Sequence, residues 1–241
     1  MHVPAQVTLV TGASRGIGEA VALRFQERGD KVHPVWRTDP EVGESLREQF
    51  LARVHQADLA EEGAAERLVE RLLQIDGKLD HLVHCVGDFL DAPLVDTEPE
   101  DWRRLLESNL MTTVELLDAA REPLRESGGT VVLVGVTGAG VARGRRRTAA
   151  YAAAKSALLT YARSLALEEA RFGVRVNTVS PGLVAHPGAD PYTLDAERQA
   201  SVPLGRAATV EEVAEAIFWL SSSEASYVVG ADLVLSGGWG G

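Results

Sequence analysis

The run Thr11-Gly12-Ala13-Ser14-Arg15-Gly16-Ile17-Gly18 leaves a chain like this few folds to choose from. It follows a short apolar stretch with strand character, Val7–Thr11, and precedes a helix-forming stretch, Glu19–Arg28, which Gly29 ends. Glycines here let the backbone turn tightly and approach a pyrophosphate. The helix beyond them offers free N–H groups and a partial positive charge at its start. The spacing is G-x-x-x-G-x-G, and the strand–turn–helix context gives it a meaning that glycines alone lack.

Strand-like and helix-like segments alternate along the rest of the chain, the pattern of a parallel sheet covered by helices on both faces. Strands are predicted at Val32–Trp36, Arg53–Ala57, Leu79–Val86, Thr130–Val136, Val174–Val179 and Asp232–Ser236. Helices are predicted at Pro40–Leu51, Glu61–Ile75, Thr148–Ala170, Asp195–Ala200 and Val210–Ser221. A long one runs from Pro99 to about Arg125, with Trp102, Leu105, Leu106, Leu110, Val114 and Leu117 at core-facing spacing. Trp219 and Phe218 also fall at core-type spacing, and Trp239 is expected at a subunit interface. Ser180–Pro191 holds three prolines and two glycines and is expected to be an irregular lid past a strand end. With no linker or low-complexity segment, one domain over residues 1–241 is the expectation.

A net charge of −11 argues against nucleic acid and anionic membranes as partners. The single cysteine, Cys85, excludes an internal disulfide framework and a cysteine-based zinc site. No cleavable leader or membrane-length apolar run is apparent, so the expected location is the cytoplasm.

Tyr151 and Lys155 are four apart in a helix-forming run, so their side chains share one helical face. An ammonium beside a phenol favours the phenolate and moves the tyrosine toward the range of a general acid/base. On a surface helix the same spacing commonly gives two solvated neighbours. Composition favours the chemical alternative: only three of 24 basic residues are lysine (Lys31, Lys78, Lys155), and lysine is the cation whose pKa can be tuned.

The glycine turn, Asp58-Leu59, Gly87, Asn109, the Tyr151/Lys155 pair, Asn177, Ser180-Pro181-Gly182, Pro203-Leu204-Gly205-Arg206 and Gly237-Gly238 together resemble the short-chain dehydrogenase/reductase family in order and spacing. The resemblance covers nearly the whole chain. It implies an α/β fold: a single Rossmann-type, doubly wound domain with a seven-stranded parallel sheet flanked by helices, commonly assembled as a homotetramer. It also implies hydride transfer between a nicotinamide cofactor and a carbonyl or alcohol. The closest general likeness is to 3-oxoacyl-[acyl-carrier-protein] reductases.

By that resemblance, Tyr151 protonates the substrate oxygen. Lys155 lowers the tyrosine pKa and holds the nicotinamide ribose, and Asn109 anchors a water in the proton path. The cofactor is held by Gly12, Ser14, Arg15, Gly16, Ile17 and Gly18, by Asp58 and Leu59 at the adenine, by Cys85 and Gly87, and by Pro181, Gly182 and Val184. At the end of the second strand, Trp36 stands where NAD-preferring relatives carry an acidic residue. Arg37 and Thr38 follow it, and Arg15 faces it. Guanidiniums there suit a 2′-phosphate, so NADPH is the expected cofactor.

Three departures from the family pattern stand out. The carbonyl-binding serine is replaced at its counted position by Gly138, and Thr137 takes the role if the loop carries one extra residue. The family's Asn-Asn-Ala-Gly reads His84-Cys85-Val86-Gly87, which is expected to be packing rather than a metal site. His186 replaces a threonine near the cofactor amide, where it either makes the same bonds or points outward. The expected activity is reduction of a carbonyl, in a 3-oxoacyl thioester or another ketone. A pterin or sugar-like substrate, or an idle dinucleotide-binding sensor or scaffold, is the alternative. The four arginines of Arg143–Arg147 lie on the rim of the expected site and suit either an anionic substrate or pairing with a neighbouring subunit.

Overall fold

The computed structural model describes residues 5–186 and 195–240. Seven parallel strands form one sheet: β1 (Val7–Thr11), β2 (Lys31–Trp36), β3 (His55–Gln56), β4 (His81–His84), β5 (Thr130–Val134), β6 (Arg175–Pro181) and, at the far edge, β9 (Asp232–Leu235). Their order is β3-β2-β1-β4-β5-β6-β9, so the chain reverses its direction of growth between β1 and β4. Crevices for ligands open at such a reversal, outside the C-terminal strand ends.

Register explains the two-sided core. Leu9, Leu82, Val131 and Val176 stand side by side on one face. That face packs against α3 (Ala64–Asp76), α5 (Thr112–Ser127) and α6 (Ala149–Glu169) through Leu68, Leu72, Leu116, Leu124, Leu158 and Leu165. One residue further along each strand, Val10, Val83 and Val132 face the other way. They meet Phe25 of α1 (Gly16–Arg28), Leu46 and Phe50 of α2 (Pro40–Phe50), and Val213 and Ile217 of a late helix, Val210–Ser221. Each fully buried Leu, Val or Phe of this kind contributes about 1.5–3 kcal/mol. The chirality of the crossovers then places helices on both faces.

The helix expected from Pro99 to Arg125 is interrupted. Pro99–Leu106 forms α4, with Pro99 in its first turn and a reciprocal Glu98/Asp101 cap; Glu107–Met111 widens into a π-turn, and α5 follows. The cause is the side chain of Asn109. Its amide Nδ2 donates to the Leu105 carbonyl and the Asp88 carbonyl, both at 3.0 Å, taking an acceptor from the regular helical ladder. Single-turn π-bulges of this kind are concentrated at functional sites.

Two expected core residues are exposed instead. Leu106 lies beside the buried Leu105, and Trp219 is on the outer side of a helix whose inner side is Val213, Ala214, Ile217 and Leu220. Phe218 is half-buried and packs edge-on against Phe25. The lid is more regular than its prolines suggest. Ser180 and Pro181 complete β6, and Val184–Ala185 (β7) pairs in parallel with Ala208–Thr209 (β8). The lid beyond His186, up to Pro191, lies outside the described residues. Two further helices close the chain: Ala196–Ala200 (α7), capped by Asp195, and Val210–Ser221 (α8). Trp239 packs within the chain against Leu183, Val202 and Ala207. Among the described residues no helix is long and apolar enough to cross a membrane.

Candidate active site

The glycine turn folds onto itself and onto the end of β4. A Cβ on Gly18 would stand 2.2 Å from the Gly12 carbonyl oxygen, and one on Gly12 would stand 2.9 Å from the Cys85 carbonyl oxygen. Side chains at either position would therefore open the turn. Gly12 and Gly16 also adopt positive φ, at 70° and 63°, which glycine alone takes without strain. The result is the N-terminus of α1 aimed into a cavity of about 930 Å³ at the β1/β4 reversal.

Of the expected cofactor residues, Gly12, Ser14, Arg15, Gly16, Ile17, Gly18, Arg37, Asp58, Leu59, Cys85 and Gly87 line this cavity. Thr38, Pro181, Gly182, Val184, Tyr151 and Lys155 do not. Thr38 is exposed, one residue before the Asp39 that caps α2. Pro181 instead accepts the backbone N–H of Thr137 at 2.9 Å. His186 turns inward: its ring lies 3.6 Å from where a Gly16 Cβ would be, on the cavity wall. Sequence reasoning missed Phe89, Arg104, Glu107, Ser108 and Thr112, which also line the cavity. Their one signal was position, directly after Gly87 and around Asn109.

Trp36 is buried at the end of β2, with its ring against Gly43 of α2. A Cβ on Gly43 would stand 2.4 Å from the indole. Gly43 lies in the first turn of α2, and its lack of a side chain is what lets so large a ring tuck beneath the helix. Gln56 Nε2 donates to the Arg37 carbonyl at 3.1 Å and fixes the backbone beside it.

Asn109 Oδ1 is buried and accepts no hydrogen bond, although the amide nitrogen is fully used. A Cβ on Gly87 would stand 2.2 Å from that oxygen and 3.2 Å from Lys155 Nζ. The missing side chain at Gly87 thus keeps open a polar spot shared by Asn109 and Lys155, beside the cavity. A buried acceptor without a partner costs about 1–3 kcal/mol. The donor-hungry oxygen, the adjacent ammonium and the glycine cradle fit a hydrated dinucleotide site.

Tyr151 and Lys155 share one face of α6 as the spacing predicts, but their electrostatics differ from expectation. Lys155 Nζ donates to the Val134 carbonyl at 2.7 Å and lies 5.9 Å from the Tyr151 ring centre. Burial pushes the Tyr151 phenol up to about 12, with the nearby Arg145 charge pulling the other way. Burial also brings Lys155 down to about 8. The tyrosine is shielded by Leu90, Trp102, Leu105 and Ala154, and Phe89 meets its ring edge-on at 5.0 Å. Desolvation therefore outweighs the one opposing charge, that of Arg145.

The turn after β5 sets Gly138 and Thr137 in different surroundings. Gly138 has φ of 76°, and a Cβ there would stand 2.7 Å from Arg143 Nη2 and 2.8 Å from Arg145 Nη2. A serine there would be strained by the backbone and would displace the tips of both arginines. Thr137 is buried, held by the Pro181 carbonyl through its own N–H and by Arg145 Nη2 through its carbonyl at 2.7 Å.

His84 Nδ1 shares a 2.7 Å hydrogen bond with Thr11 Oγ1, its neighbour across β1 and β4. Burial, with the Lys155 charge adding to it, pushes His84 down to about 3, and burial pushes the Cys85 thiol up to about 12. One is a neutral imidazole and the other a protonated thiol. Among the described residues no group of three His, Cys, Asp or Glu side chains could hold a metal ion.

Comparisons with known proteins agree with this architecture. Residues 12–240 match the family described as enoyl-(acyl carrier protein) reductase. The chain is 32% identical over 244 residues to the 3-oxoacyl-[acyl-carrier-protein] reductase of Escherichia coli (strain K12), covering 99% of this chain and 98% of the relative. It is 35% identical over 248 residues to the L-fucose dehydrogenase of Mus musculus, covering 97% and 88%. A solved blue fluorescent protein from a metagenomic library, in complex with NADPH, superposes with a TM-score of 0.89 at 29% identity, covering 98% of each chain.

Proposed function

This chain belongs to the short-chain dehydrogenase/reductase family of oxidoreductases, and from that premise we propose that it is an NADPH-dependent reductase that converts a ketone or 3-oxoacyl thioester to the alcohol, with Tyr151 as proton donor. The observation that carries the reading is the open polar spot at Gly87, where Asn109 Oδ1 lacks a donor beside Lys155 Nζ.

A bound nicotinamide dinucleotide supplies the hydride. Gly12, Gly16 and the start of α1 take its phosphates, and Asp58 and Leu59 take its adenine end. Tyr151 holds its proton at neutral pH, because burial keeps the phenol protonated until negative charge develops on the substrate oxygen. The proton then passes from Tyr151 to that oxygen, and the resulting phenolate is stabilised by Lys155 one turn further along α6. A water held between Asn109 Oδ1 and Lys155 would relay a proton from solvent to the phenolate, itself being reprotonated in the same step. The Thr137 hydroxyl polarises the carbonyl, a contribution of about 2.7–4 kcal/mol for a well-placed donor.

NADPH is favoured over NADH by the absence of a carboxylate at Trp36 and by Arg37 and Arg15 on the cavity wall. The NADPH carried by the metagenomic neighbour supports the same choice. The likeness to L-fucose dehydrogenase favours one second reading, a sugar-like substrate.

The test measures dissociation constants for NADPH and NADH with purified protein. It then follows NADPH loss across a panel of ketones and NADP⁺ reduction by L-fucose. The expected result is tighter NADPH binding and turnover of at least one ketone. A preference for NADH refutes the cofactor assignment, and tight NADPH binding without any turnover leaves an idle dinucleotide-binding protein.

A further inference from the structure

A second cavity, of about 360 Å³, opens between the edge strand β3 and α3, and Ala57 and Asp58 line both it and the larger one. His55 stands on its wall with only 8% of its surface exposed. The His55 ring is the end of a hydrogen-bonded chain. His33 Nε2 donates to Asp76 at 2.9 Å, and His33 Nδ1 meets His55 Nε2 at 2.8 Å. Arg53 and Lys31 hold Asp76 as a carboxylate, which fixes the order of protons along the chain. His33 carries its proton on Nε2, His55 on its own Nε2, and His55 Nδ1 is left as a bare acceptor. Among the described residues that nitrogen has no partner, and it is not sealed from solvent, so it opens on the cavity.

Two cations share the wall. Arg67 and Arg71 are four apart, which puts both guanidiniums on one face of α3. Arg67 Nη1 donates to the Glu62 carbonyl at 3.0 Å and so folds back over the start of α3, where the helix dipole opposes a cation. Arg71 Nη1 reaches only the neutral Gln74 Oε1, at 3.4 Å, and its charge is felt at the His55 ring. Neither arginine is in an ion pair among the described residues, although the chain carries a net charge of −11.

The cavity therefore makes two demands of an occupant. The guanidiniums call for an oxyanion, while the bare nitrogen of His55 and the carboxylates of Asp58 and Glu61, which also line the cavity, call for a proton donor. Sulfate, which only accepts, meets the first demand alone. A phosphate group meets both. Its ionised oxygens form charge-assisted bonds with the arginines, and with a second pKa of about 6 it still offers a P–OH to an acceptor near neutral pH.

We propose that His55, Arg67 and Arg71 form a binding site for a phosphate group, borne by inorganic phosphate or by a phosphate monoester, separate from the cofactor cavity. Behind it, Asp76 and His33 fix the tautomer that His55 presents.

The test is calorimetric titration of the NADP⁺-saturated protein with inorganic phosphate, glycerol 3-phosphate, glycerol and sulfate at constant ionic strength. It is run on wild type, Arg71→Gln, Arg71→Lys and Arg103→Gln. Arg71 and Arg103 are exposed, so these variants are expected to fold, and Arg103 lines neither cavity. At least one of the two phosphates should bind wild type, and the tighter of them identifies the free ion or the monoester. Arg71→Gln should weaken that binding by about tenfold or more, Arg71→Lys should keep part of it, and Arg103→Gln should leave it unchanged. Sulfate should bind wild type about tenfold more weakly than the favoured phosphate, and glycerol should not bind.

Binding of neither phosphate overturns the proposal, as does an equal loss in Arg71→Gln and Arg103→Gln. Sulfate binding as tightly as phosphate overturns it too, since His55 would then accept no proton from the ligand. The comparison of variants involves no turnover and holds with or without NADP⁺, so failure of the reductase reading is distinguishable from failure of this one.

Discussion

Two clusters of buried ionisable groups occupy opposite ends of the same sheet, and they are built on opposite rules. At the end where β2 begins, Asp76 is almost fully buried and every lone pair is used. Lys31 Nζ donates to Oδ1 at 2.6 Å, Arg53 Nε to Oδ2 at 2.5 Å and His33 Nε2 to Oδ2 at 2.9 Å. Because His33 gives its Nε2 proton to Asp76, its Nδ1 accepts from His55 Nε2 at 2.8 Å, and the two rings stack. Burial pushes the Asp76 carboxyl up, but the hydrogen bonds from Arg53, Lys31 and His33 outweigh it and hold it well below the usual range. At the other end, Lys155 has a carbonyl in place of a carboxylate, and Asn109 Oδ1 and His84 Nε2 have no partner. The paired cluster ties α3 to β2. The unpaired one keeps polar groups available for something that is not part of the chain.

Asp76→Ala should separate the two ends most sharply. Removing one member of a buried ion network costs about 3–5 kcal/mol. Arg53 and Lys31 are partly exposed and regain water, so the lower end, about 3 kcal/mol, is expected in chemical denaturation. NADPH affinity of the folded variant should not change. Lost cofactor binding without lost stability would mean that the two ends do not divide the work this way.

Acid gives a smaller and more graded effect. His33, His55, His81 and His84 all have folded pKa values lowered by burial, His55 and His81 to about 4 and His84 to about 3. The unfolded chain takes up protons first, near the ordinary value of about 6.5. The stability these histidines contribute is therefore complete above that value and declines as pH falls toward about 4, by at most about 1.4 kcal/mol per pH unit for each histidine. Asp76 adds its own loss only at lower pH, because its folded value is depressed. Denaturation midpoints should be level from pH 7.5 to about 6.5 and fall from there to pH 4.5, and a flat profile throughout would contradict neutral buried histidines.

What was legible in the sequence is what depends on short spacing. The glycine turn, the Tyr151/Lys155 face and the strand alternation are local patterns, and the structure reproduces each. The Asp76 cluster was not legible, because His33, His55 and Asp76 meet only through sheet register and the docking of α3. The π-turn depends on Asn109 reaching Asp88, 21 residues away, which no helical periodicity encodes. The raised Tyr151 phenol was missed for a related reason: spacing reveals the lysine but not Phe89, Leu90 and Trp102, whose packing dries the site. Trp219 was misplaced because α8 is apolar on more of its circumference than the core covers.

On the proposed reading, the unpaired end transfers a proton through Tyr151. This transfer is tested most directly by measuring ketone reduction and NADPH dissociation constants on the same preparations of wild type and Tyr151→Phe. The phenyl ring keeps its packing against Phe89, so the fold and the cofactor cavity are preserved. Turnover should fall by about 10²–10⁴-fold, the range for a lost general acid, while NADPH affinity stays within about twofold. Turnover at the wild-type rate in Tyr151→Phe would contradict the account.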